Sequence, residues 1–188
     1  MKQSELIKRM TDKQVKQQLL LSQLFFLLLS IALSVFLFSN LSDWLLYFNF
    51  HINQIVFYGL LPAIILVAFE LILVLFIPAQ HLDDGGINEK VFKNQSIFSI
   101  FIIALVVAIS EEFLFRGVIQ TTFGYVFASS LFVLVHFRYL KKPVLLTLII
   151  LTSFIIGYLF KVTENLLVTI VFHFIVDFLL GIAIKYKK

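Results

Sequence analysis

Cysteine is absent from this sequence, and charge is scarce. Without cysteine there is no disulfide framework and no thiolate to serve as metal ligand or nucleophile. Only 14% of the 188 residues are charged, against roughly 25% in soluble domains. A chain with so little polar surface does not stay soluble as a monomer. With 61% hydrophobic residues and a mean hydropathy of +1.02, its solvent is mainly lipid. Nothing reads as a removable signal peptide, because the first apolar run begins only at Leu19 and no small-residue cleavage site leads into a soluble domain. The net charge of +4 is modest. Its basic residues gather at the ends and in two loops, which suits a membrane surface and not a nucleic acid. Proline is rare too. Pro62 is expected to kink the second helix, Pro78 to mark its end and Pro143 to open the fifth.

What the sequence does have is a polar arm over 1–18 and then apolar runs near 19–38, 55–77, 97–119, 125–140, 144–160 and 166–184. A span needs about 20 apolar residues, within a usual range of 17–25. The first, second and last runs fit easily. The third fits only if it continues through its charged residues. The fourth and fifth are short for a span. The pattern predicts an all-α fold: a polytopic transmembrane helix bundle of about six spans, forming a single domain over 19–188. Loop charge supplies the orientation. Lys2, Lys8, Arg9, Lys13 and Lys16 lie in the arm, Lys90 and Lys93 in loop 79–96, Arg138, Lys141 and Lys142 in the next, and Lys185, Lys187 and Lys188 in the tail. The alternate loops hold almost none, so both termini are expected in the cytoplasm. Trp44, Tyr47 and Phe48 read as interfacial anchors.

Against this background "SEEFLFRG" at 110–117 stands out. Insertion scales put a charged residue at a helix centre about 2.5–3.5 kcal/mol uphill. Left bare, Glu111, Glu112, Arg116 and Asp177 would together cost on the order of 10 kcal/mol. They must pair, meet water or face the bundle interior. Glu112 and Arg116 are one helical turn apart and are expected to pair. Glu111 points about 100° away and has no neighbour on its own helix. A structural pair needs only one Glu, so the second invites a functional reading. His136 on the fourth run, and His173 with Asp177 on the sixth, add titratable groups. Counted from the outer loops, Glu111, His136 and His173 lie about 15, 18 and 12 Å deep at 1.5 Å per residue. Scattered structural polar groups would not share a level.

These residues resemble an intramembrane endopeptidase family, the CAAX prenyl proteases and bacteriocin-processing enzymes. Its marks are EExxxR, FxxxH and HxxxN or HxxxD on separate helices. Here they read "EEFLFR" (111–116), "FVLVH" (132–136) and "HFIVD" (173–177), and "ENLLVTIVFH" matches the Asn-Leu pair that opens the last motif helix. The resemblance covers about residues 96–184. It implies hydrolysis of a peptide bond in a membrane-associated protein or peptide, within or beside the bilayer of a prokaryotic plasma membrane. Residue by residue, it implies that Glu111 and His136 polarise the attacking water and that His173 and Asp177 stabilise the oxyanion. Glu112 and Arg116 would hold the first carboxylate. An ionised Asp cannot donate a hydrogen bond. Asp177 would therefore either orient His173 and keep it protonated or donate while itself protonated. No cofactor is required in this reading. Zinc remains an alternative, with Glu111, His136, His173 and Asp177 offering suitable N and O ligands.

Blander readings exist for each residue. Glu112–Arg116 can be a helix-locking ion pair, His136 a core or interfacial histidine, and His173–Asp177 a packed pair. Phe132 is expected to pack, against His136 among others, and Asn165 to cap a helix. Glu70, in mid-span and outside the motifs, is expected to be a structural partner or a cavity-lining group. "DDGG" at 83–86 reads as a loop turn. Ala104, Ala108 and the stretch Ala128–Ser130 are expected to allow close helix packing. Two other functional classes compete: a non-catalytic immunity or scaffold protein of the same fold, and a small proton-coupled carrier.

Overall fold

The computed structural model describes residues 9–187, so Lys2 and Lys8 of the expected basic arm lie outside the described residues. All regular structure among the described residues is helical. Helix α1 runs Asp12–Leu37 and begins inside the polar stretch. A capping box starts it: the Gln14 N–H donates to Thr11 Oγ1 (3.3 Å) and the Thr11 N–H to Gln14 Oε1 (2.8 Å), satisfying two orphan donors at once. A 3₁₀ segment, Leu41–Tyr47, leads to α2 (Ile52–Phe76). The early part of α2, Ile55–Leu60, is a wider π-helix, and Pro62 stands just beyond it. The missing Pro62 N–H thus falls where the hydrogen-bond ladder changes register.

The loop that follows contains the expected turn at 83–86. The Asp84 carboxylate accepts from the backbone N–H groups of Gly86, Ile87 and Asn88 (3.0–3.1 Å), and so caps the short helix α3, Ile87–Phe92. Helix α4 spans Ile97–Phe123, with Ser96 as its cap; it is α-helical to Glu112 and π-helical from Phe113 to Gln120. Gly124, at φ 87°, breaks it from α5 (Tyr125–Val135). Helices α6 (Pro143–Thr163) and α7 (Leu166–Tyr186) complete the fold.

Five helices, α1, α2, α4, α6 and α7, are long and apolar enough to cross a membrane. The fifth run, expected to be short, is a full 21-residue helix because Pro143 starts it early and Thr163 ends it late. The fourth run is the short one: α5 has 11 residues, about 16 Å against a hydrocarbon thickness near 30 Å. The chain turns at His136, whose φ/ψ of −86°/38° is not helical.

Helix α7 packs on α4 and α2, α6 on α5, and α1 on α4. Small residues set these distances. Ala104, Ala108, Ala128 and Ser129 are fully buried, whereas Ser130 faces outward. Ser153 Oγ donates to the Ser129 carbonyl (3.0 Å) and Ser129 Oγ to the Ser153 carbonyl (3.3 Å), pinning α6 to α5. Gly157 sits in the same seam. A Cβ there would lie 2.5 Å from Ser129 Oγ and 2.8 Å from a Tyr125 ring carbon. Gly157→Ala is therefore expected to cost about 1–3 kcal/mol, read as a lower unfolding midpoint in detergent. An unchanged midpoint would contradict this packing. The aromatics of 44–48 turn inward: Trp44 packs tilted against Phe113 (5.2 Å), Tyr47 tilted against Phe160 (5.7 Å) and Phe48 edge-on against Phe113 (5.6 Å). They clamp the loop onto the wide part of α4 and onto α6.

Candidate active site

The site begins where α4 changes pitch. Glu111 and Glu112 are the last residues before the π-helical stretch. Such wide turns recur at functional sites because they re-aim side chains without ending the helix. Glu112 and Arg116 are both completely buried, with Arg116 Nε 3.4 Å from Glu112 Oε2. The guanidinium also donates to the Ser153 carbonyl of α6 (3.4 Å) and lies 4.9 Å from the centre of the Phe132 ring of α5. Arg116 therefore ties three helices together, with the charge of Glu112 as its counterion.

The other oxygen of Glu112 reaches across to α7. His173 Nδ1 donates to Glu112 Oε1 at 2.8 Å, and His173 Nε2 faces Asp177 Oδ2 at 3.6 Å. The histidine is thus held between two carboxylates, one from α4 and one a turn along its own helix. The Glu112–Arg116 pair attaches to His173, whereas the family resemblance implies Glu111 as the group it holds.

Glu111 is held from a direction that the motifs do not indicate. Gln23 of α1, buried like Glu111, donates from Nε2 to Glu111 Oε1 at 3.1 Å. Glu111 Oε2 is buried and has no hydrogen-bond partner. One carboxylate oxygen is fixed and the other is free. The available signal was Gln23 itself, an amide well inside an apolar run, since polar groups in membrane spans usually serve the interior.

His136 follows the last turn of α5 and donates from Nδ1 to the Phe132 carbonyl at 2.8 Å. A carbonyl only accepts, so Nδ1 carries the proton, and in the neutral ring Nε2 is left as an acceptor. Phe132 is the wedge of the site: its ring lies 4.7 Å from that of His136, 6.0 Å from His173 and 5.0 Å from Phe115.

Glu111, His136, His173 and Asp177 all line one cavity of about 830 Å³, together with Gln23 and Glu70. The first four of these side chains come from the third, fourth and sixth apolar runs. Asn165 does not line it. Its side chain accepts from the Leu167 N–H (3.0 Å) and donates to the Asn49 carbonyl (2.6 Å), so it caps α7 and anchors it to the loop before α2. Among the described residues, no group of three or more His, Cys, Asp or Glu side chains is arranged to hold a metal ion.

Residues 93–179 match the family described as Type II CAAX prenyl endopeptidase Rce1-like. That stretch holds α4, α5, α6 and most of α7, and with them Glu111, Glu112, Arg116, His136, His173 and Asp177; it excludes Gln23 and Glu70. The uncharacterised protein YpbD of Bacillus subtilis (strain 168) is 35% identical over 167 residues, 89% of this chain and 88% of YpbD. No solved structure matches. The long apolar helices and the bacterial relative together make this a multi-pass prokaryotic membrane protein.

Proposed function

We propose, from the premise that the chain belongs to the family of YpbD and carries an Rce1-like CAAX-protease segment, that it is an intramembrane endopeptidase. Its substrate is a membrane-associated protein or peptide whose scissile carbonyl enters the cavity. Glu111 Oε2 takes a proton from water as the water oxygen bonds to the carbonyl carbon. His136 Nε2 accepts the water's other hydrogen bond and orients it. His173 Nε2–H donates to the oxyanion, while Glu112 on Nδ1 fixes the ring and Asp177 stabilises its positive charge. As the C–N bond breaks, the proton held by Glu111 passes to the leaving nitrogen. Every step is carried by the chain's own groups. Aiming a donor at developing charge in a cavity with little water is an effective form of stabilisation. We read six spans, α5 being a short one, with both termini and the mouth of the cavity on the cytoplasmic side, where Arg138 and Lys187 line it.

The observation that carries this reading is Glu111, a buried carboxylate with one oxygen held by Gln23 and the other unpartnered, on a cavity shared with two histidines. The test is cleavage of fluorogenic membrane peptides by the purified full chain in vesicles. His136→Ala is expected to lower kcat by about 10²–10⁴-fold, with the unfolding midpoint little changed. Cleavage is expected to persist in EDTA and in phenanthroline. A His136→Ala protein as active as the wild type would remove this histidine from the mechanism. Activity lost to chelators and restored by zinc would replace the metal-free scheme.

A further inference from the structure

The scheme above takes the Glu111 carboxylate as it stands. What aims it lies outside the matched stretch 93–179, on α1. Helix α1 is the most lipid-facing of the long spans, with only 17% of its most apolar window buried. Its buried residues are Val15, Gln23, Ser30 and Ser34. The two serines turn their hydroxyls back onto their own helix, Ser30 Oγ donating to the Leu27 carbonyl and Ser34 Oγ to the Ile31 carbonyl, each at 2.8 Å. Among the described residues, Gln23 is thus the one buried side chain of α1 that hydrogen-bonds to another helix.

Its backbone is fixed on both sides. Toward the N-terminus of α1, Asn94 Nδ2 donates to Asp12 Oδ2 (2.8 Å), Lys16 Nζ donates to Gln95 Oε1 (3.2 Å), and Val15 packs with Val91, Ile103 and Val107. Toward the C-terminus, Phe26 meets the Phe115 ring edge-on at 5.9 Å. A group that must place another needs this kind of rigid support. The amide is, by contrast, poorly suited to packing alone. Its Oε1 is buried without a partner, and an unsatisfied buried acceptor lowers stability. A methionine of similar length would fill the same place and strand no acceptor. The glutamine is explained by its N–H, which goes to Glu111 Oε1 at 3.1 Å. The last side-chain torsion of a glutamate has broad minima, so an untethered carboxylate turns easily. A donor on Oε1 stops that rotation and leaves Oε2 as the oxygen that meets water.

We propose that Gln23 is a positioning residue for the cleavage reaction: its amide N–H locks the Glu111 carboxylate in the rotation that presents Oε2 to the water, so that α1 belongs to the catalytic machinery and is not only a packing helix. This rests on the endopeptidase reading and adds a residue that acts through Glu111 without touching the peptide. A reacting group misplaced by about an ångström loses on the order of 10²-fold in rate.

The test compares Gln23→Met, which removes the donor, with Gln23→His, whose Nε2–H reaches close to where the amide nitrogen stands. Both are purified as full chains in vesicles and assayed on the same fluorogenic membrane peptides, with kcat counted per folded molecule. Gln23→Met is expected to lower kcat about 10²-fold and leave KM within about twofold. Gln23→His is expected to come back to within about fivefold of wild type. A second measurement does not depend on cleavage. The infrared difference between wild type and Glu111→Gln isolates the carboxyl bands of Glu111. Those bands should shift in Gln23→Met and stay near their wild-type position in Gln23→His. A Gln23→Met protein with wild-type kcat, or with unshifted bands, would overturn the proposal. So would a loss confined to KM, which would put Gln23 on the peptide, or turnover that falls only with the folded fraction, which would make it a packing residue. A wild type that cleaves no peptide removes the endopeptidase reading and the role of Gln23 with it. A wild type that cleaves, with Gln23→Met its equal, removes Gln23 alone.

Discussion

Glu111→Gln is expected to reduce peptide cleavage by about 10⁴-fold, the upper end of what a positioned general base supplies. Shape is nearly unchanged by this substitution. The amide oxygen can still accept from Gln23 Nε2, which now holds Glu111 Oε1 at 3.1 Å, so the tie between α1 and α4 survives. What disappears is the basic oxygen, the one that is buried without a partner. Removing a carboxylate with so little compensation should leave the unfolding midpoint where it is or raise it, because an ionised group inside a bundle is held at a cost. Loss of activity with retained or increased stability separates a catalytic Glu111 from a structural one. A Glu111→Gln protein that unfolds early and cleaves in proportion to its folded fraction would show that the residue only holds the fold.

Arg116→Met is expected to do the opposite and act on the fold first. Arg116 and Glu112 are fully buried, and Glu112 also accepts from His173. Without the guanidinium, Glu112 keeps a single partner for its charge, His173, and the Ser153 carbonyl loses one of its two side-chain donors, keeping Ser129 Oγ. Breaking a buried pair from one side costs about 3–5 kcal/mol, or roughly 6–20 °C in unfolding midpoint for a chain of this size. The double substitution Glu112→Gln with Arg116→Met should cost less than the two single changes added together, because neither charge is then stranded. A double mutant as unstable as the sum would mean that the two residues do not act as a pair. Activity should fall too, since Glu112 is what fixes the ring of His173.

The spacing of EEFLFR, FVLVH and HFIVD was enough to place Glu111, His136, His173 and Asp177 on one cavity, because helical periodicity and depth are arithmetic that a sequence carries. The pairing of Glu112 with Arg116 followed from the same arithmetic. Three features did not. The π-helical stretch from Phe113 to Gln120 has no local signature, since it depends on how α4 packs against its neighbours. The second partner of Glu112, His173, comes from a helix far along the chain, and nothing in sequence spacing orders two carboxylates around one imidazole. Gln23 lies outside the matched stretch 93–179 and looks like one polar residue in a lipid-facing helix. Only the packing of α1 on α4 shows that it points inward. The fourth run reads as short for a span and α5 is short, but the fifth reads as short too and α6 is a full 21-residue helix, because Pro143 and Thr163 set its ends more sharply than hydropathy does.

The most direct measurement is mass spectrometry of a membrane peptide incubated with the purified chain in ¹⁸O-labelled water. Wild type should yield two fragments, with one ¹⁸O in the new carboxyl group and a free amine on the other piece, and Glu111→Gln should yield neither. Equal cleavage by both proteins, or fragments without the label, would contradict a water activated by Glu111.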